Sequence, residues 1–144
     1  MAPNLFRILL ALVALYALFR GRRDERRVGL ILVVGVIATH LVISPEQHRF
    51  TNLETAVLAV DVTVFAGFLW VALGSERFWP LWIAGLQLTT LFGHALKAFD
   101  AGLFSWAYGA ALAFWSYPIV LILAIGTWRG HRRLQTQRSE FAAA

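Results

Sequence analysis

Apolar residues in this chain fall into long runs rather than stripes. Four runs, Val28–Ser44, Leu53–Leu73, Phe78–Phe99 and Leu103–Trp128, reach or approach the length of about 17–25 residues that carries a helix across a bilayer. A fifth, Leu5–Phe19, is shorter and has Arg7 near its start. Short polar connectors separate the runs: Arg20–Arg27, Pro45–Asn52, Gly74–Arg77 and Asp100–Gly102. Connectors this short make consecutive helices antiparallel neighbours. Residues 1–138 therefore read as one helical domain with no composition shift or internal repeat. Ser139–Ala144 reads as a fusion or cloning scar.

The runs are apolar on every face. A helix on the surface of a soluble bundle keeps a polar stripe with a period of about 3.6 residues. Val28–Leu41 has no ionisable side chain before His40, and Phe114–Thr127 has none except Tyr117. This pattern predicts an all-α membrane protein, a bundle of about five transmembrane helices. Proline placement agrees. Pro45 ends the second helix, Pro80 falls in the first turn of the fourth, and Pro118 lies deep in the fifth. The first run also has the look of a signal peptide. No small-x-small cleavage site follows Phe19, and a block of arginines does, so an uncleaved first helix is expected.

Composition sharpens the membrane expectation. Of the 144 residues 59% are hydrophobic and 15% charged, against about 45–50% and about 25% in ordinary soluble domains. A chain of this size has too small an interior to absorb the excess. The lack of any cysteine excludes a disulfide scaffold, a thiolate zinc site, a cysteine nucleophile and a cysteine-bound iron–sulfur cluster.

The net charge of +5 would suggest nucleic acid in a soluble protein, but its distribution argues otherwise. With the N-terminus outside, Arg20, Arg22, Arg23, Arg26, Arg27, Arg77, Arg129, Arg132, Arg133 and Arg138 all fall on one side. Only Arg7, Arg49 and Lys97 fall on the other. Such a bias predicts an N-out/C-in protein of a bacterial-type inner (plasma) membrane, with a cytoplasmic C-terminus. Trp70, Trp79, Trp82 and Trp128 then lie near the inner boundary, and Trp106 and Tyr108 near the outer one. The expected partners are membrane lipids and a second copy or a larger membrane complex, not nucleic acid.

Ionisable groups inside a span are costly and mark candidate function. His40, Asp61 and His94 are three such groups on three helices, all in the outer half. Glu54 and Asp61 lie two turns apart on one face, and Gln87, Thr90 and His94 share a face of the fourth helix. Together these six residues form a candidate ion or proton site. His40, Asp61 and His94 would also suit a divalent metal such as zinc, manganese or iron. His40 and His94 alone would suit the axial positions of haem b. A metal-dependent membrane enzyme is a third reading, and a structural clip between helices is the plainest one. No HxxxH, ExxH or GxSxG spacing is present, so no motif chooses among them.

Overall fold

The computed structural model describes residues 2–42, 50–99 and 105–144, with side chains placed for 4–42, 55–99, 110 and 114–144. Among these residues every regular element is an α-helix: α1 (Ala2–Arg20), α2 (Arg23–Val42), α3 (Phe50–Leu73), α4 (Trp79–Phe99) and α5 (Ser105–Ala143). The all-helical, five-helix expectation holds. Helices α3 and α4 begin within three residues of the expected positions and end where expected.

Two boundaries move, each for a local reason. The eight-residue connector expected over Arg20–Arg27 shrinks to Gly21 and Arg22. Asp24 and Glu25 stand in the first turn of α2, where negative charge favours the exposed amide end of a helix. The Arg22 carbonyl accepts the Arg26 N–H at 3.0 Å, and the Gly21 N–H closes α1 on the Ala17 carbonyl at 2.9 Å. Only glycine fits at this turn. A Cβ on Gly21 would lie 2.1 Å from the Ala17 oxygen and 2.7 Å from Glu25 Cβ. At the other end of the chain, α5 continues past Trp128 through the segment read as a scar. No proline or glycine follows Gly130 to stop it, and Thr136 and Ser139 bond back to helix carbonyls at 3.2 and 2.7 Å.

Each helix packs on its neighbours in sequence, and α5 closes the ring against α1 while also touching α2. The core takes residues from all five: Ala17, Val28, Phe68, Val71, Ile83, Ala84, Ile119 and Leu123. Close backbone approach between α2 and α3 depends on Gly35, whose missing Cβ would sit 2.8 Å from Val64 Cγ2. Gly85 of α4, by contrast, meets nothing within 4 Å.

The arginine-rich end is tied by polar contacts. Arg77, in the α3–α4 connector, donates to Glu25 Oε1 at 2.5 Å. Ser75 donates to Asp24 Oδ2 at 2.7 Å and accepts the Arg77 N–H at 3.1 Å. Glu25 is fully buried, so loss of its cation would leave an uncompensated charge, at a cost of roughly 3–5 kcal/mol.

Helix composition alone does not support five spans. Among the described residues one helix meets the length and hydropathy of a membrane crossing, Thr55–Leu73 in α3, with a mean hydropathy of 2.2. The α2 helix opens on five charged residues, Arg23–Arg27, and Gln87, His94 and Lys97 dilute α4. The α3 segment is not a buried core helix, since only 11% of it is buried.

Gly21→Ala is expected to destabilise the fold by roughly 1–3 kcal/mol through overpacking. Gly85→Ala should be neutral or stabilising by up to about 1 kcal/mol, because only helix propensity changes. Thermal unfolding followed by circular dichroism separates the two, and equal losses would count against this packing.

Candidate functional site

The α4 stripe of Gln87, Thr90 and His94 turns toward α3, where it meets Asp61. His94 Nε2 lies 2.8 Å from Asp61 Oδ2, and Gln87 Nε2 donates to Asp61 Oδ1 at 3.3 Å. Both carboxylate oxygens are therefore engaged by the neighbouring helix. The pair is largely shielded, with the His94 and Asp61 side chains 11% and 21% exposed. Gln87 and Thr90 are buried beside it. Positions 87, 90 and 94 share a face because three and seven residues are near-integral turns of helix, and Asp61 gives that face something to bond.

His40 does not join them. Its Nδ1 lies 3.0 Å from the Val36 carbonyl of its own helix. A carbonyl only accepts, so Nδ1 carries the hydrogen. The same satisfaction one turn back occurs at Thr39, Thr63, Thr89 and Thr127, whose hydroxyls donate to the carbonyls four residues earlier. These polar side chains need no partner outside their own helix.

Asp61 and His40 meet instead at a cavity. A partly open space of about 400 Å³ lies among the helices, with Asp61, Gln87, Thr39, His40, Arg7, Ser116 and Tyr117 as its polar lining. The rest of its wall is aliphatic, apart from the Phe6 ring. Phe6 holds the Tyr117 ring edge-on at a centroid distance of 4.8 Å. His94 is not part of the wall; it stands behind Asp61. The arrangement is a carboxylate with an imidazole at its back, an amide on its flank and a cavity in front. Carboxylate and imidazole are both side-chain types used in general acid–base chemistry.

Two expected ligand sets are not assembled. Among the described residues no three His, Asp or Glu side chains gather closely enough to hold a metal, so the set His40, Asp61 and His94 does not form. Geometry explains this, since His40 is bonded to its own helix and only the other two converge. The pairing of His40 and His94 expected for haem b is likewise not prepared. His94 Nε2 is occupied by Asp61, and only His40 of the two lines the cavity. Glu54 belongs to α3, but its side chain lies outside the described residues, as does that of Trp106.

Arg7 is the functional candidate that sequence reasoning missed. It was legible only as a charge at the edge of a short apolar run, and its place on the cavity wall depends on α1 packing against α2 and α5. Comparison with known protein families, curated proteins and solved structures gives no match.

In protein labelled with ¹⁵N histidine, Asp61→Asn should shift the imidazole nitrogen resonances of His94 and leave those of His40 in place. Equal shifts at both histidines would mean that they share one site.

Proposed function

We propose that this chain is a small multi-spanning membrane protein that binds and exchanges a proton at Asp61 and His94. The observation that carries the proposal is the 2.8 Å contact between these side chains at the back of the cavity wall. A proton fits better than a metal ion. Only two of the three expected ligands converge, His94 and Asp61, while His40 is bonded to its own helix.

Support for the membrane setting comes from the surface. Among the described residues eleven apolar side chains are buried, whereas 26 large ones are exposed, from Leu5 and Leu12 on α1 to Phe92 and Leu96 on α4. The accessible area of 10254 Å² exceeds the roughly 7,400 Å² expected of a compact protein of 16.1 kDa. Water does not tolerate apolar surface on that scale without a partner, and lipid does. The hydroxyls that bond back to their own helices suit the same medium.

In this reading all five helices cross or enter the bilayer, with the N-terminus outside and the arginine-rich end inside. Arg27 over Trp70 and Arg132 over Trp128, at 4.7 and 4.9 Å, fit an interfacial belt at that end. The proton site then opens toward the outer half. Below it Phe68, Val71, Ile83 and Leu123 are fully buried and close the bundle with apolar groups. Exchange therefore occurs with the outer side, and passage further inward falls to a second copy or to a larger complex of which this chain is a subunit.

Three measurements test the proposal in order. The chain should stay with membranes through alkaline carbonate extraction. A single cysteine introduced by Thr136→Cys should be labelled only from the cytoplasmic side, free of background because the protein has no other thiol. Proton uptake after an external pH jump, read from the carboxyl infrared band in proteoliposomes, should disappear in Asp61→Asn. Unchanged uptake in that variant would refute the site, and a haem Soret band in the pure protein would transfer the function to His40 or His94.

A further inference from the structure

At the arginine-rich end a second cleft, of about 500 Å³, is lined by α4, α5 and the α3–α4 connector and is not used by the proton site. Its polar wall carries three arginines: Arg77 from the α3–α4 connector, and Arg129 and Arg133 one turn apart on α5. Its apolar wall carries Trp79, Trp82 and Ile125. The three cations face one acidic group in the cleft, Glu76, and Glu25 behind Arg77. Positive charge remains in excess.

The arginines at this end are engaged to different degrees. Arg27 and Arg132 stack on tryptophans, Arg20 lies 3.3 Å from His131, and Arg77 is held by Glu25. Arg129 and Arg133 form no ion pair among the described residues. Both are exposed at the rim of the cleft. Gly126 and Gly130 on the same helix let Trp79, Glu25 and Arg77 come up close against α5. A Cβ on Gly126 would meet the Trp79 ring at 3.3 Å, and one on Gly130 would lie 3.0 Å from Glu25 Oε1 and 3.5 Å from Arg77 Nη1. The amino end of α4 also points here and adds the positive end of its dipole.

We infer that this cleft binds the phosphate headgroup of an anionic phospholipid, with the acyl chains lying along Trp82 and Ile125. Guanidinium groups match phosphate oxygens in geometry as well as charge. The apolar wall selects an amphiphile over free phosphate, because a bare anion would leave it wetted. The lipid source rests on the membrane setting proposed above, but not on the proton site.

The test uses the purified, delipidated full chain in non-ionic detergent and native mass spectrometry with phosphatidylglycerol, phosphatidylcholine or inorganic phosphate. Phosphatidylglycerol should be retained, and the double variant Arg129→Gln/Arg133→Gln should weaken it roughly thirtyfold. Circular dichroism should show the same helix content in both proteins. A second variant, Arg26→Gln/Arg138→Gln, removes equal charge at exposed positions outside the cleft and should retain the lipid. Equal losses in the two variants would reduce the effect to net charge and overturn the site. Equal retention of phosphatidylcholine, or displacement by millimolar phosphate, would overturn the anionic lipid as ligand. A chain that washes off membranes in carbonate yet keeps phosphatidylglycerol would defeat the membrane setting and leave the cleft standing.

Discussion

A carboxylate without solvent must be answered by a cation, and in this bundle Glu25 is answered by Arg77. The pair joins the first turn of α2 to the connector between α3 and α4, and Gly130 lets α5 approach close behind it. Ser75 and Asp24 lock the same corner from the other side. Once that corner is set, α2 must begin at Arg23 and the preceding turn is left with two residues. Glu25 Oε2 has no partner among the described residues, so the corner is not fully satisfied. It holds because the second oxygen has its arginine and because separating the two would strand both charges.

From this corner the two ends of the bundle diverge in character. One end concentrates arginine and tryptophan around a cleft, with guanidinium groups stacked on indole rings. Toward the other, His40 is engaged by a carbonyl of its own helix, and Gln87 and His94 by Asp61. Between them sits a buried apolar layer of Phe68, Val71, Ile83 and Leu123. The layer isolates the Asp61 cavity from the cationic end. The cavity at Asp61 and the cleft between Arg77 and Arg133 are thus two separate spaces.

Much of the fold was legible from the chain because helix-length apolar runs are a local property. The starts and ends of α3 and α4 follow from where the apolar residues stop. The boundaries that moved, at Arg23 and beyond Trp128, depend on charge compensation at a helix end and on the lack of a breaker, which hydropathy does not register. The candidate site was legible in part. A shared face for Gln87, Thr90 and His94 follows from helix geometry, and the structure turns that face to Asp61. Sequence could not show that His40 bonds its own backbone, since a histidine reaching inward and one reaching back along its helix have identical spacing.

The sequence by itself determined that the chain is all helix, which ends carry its arginines, and that His40, Asp61 and His94 are ionisable groups set in apolar runs. Periodicity and charge position are properties of the chain, so they need no knowledge of packing. Only the tertiary structure decided which of those groups meet. The rotation of α4 against α3 pairs His94 with Asp61, while the packing of α1 on α5 brings Arg7 and Tyr117 to the same cavity. These contacts join residues far apart in the chain, and side-chain packing across the bundle selects among the rotations that the pattern of each helix alone would allow.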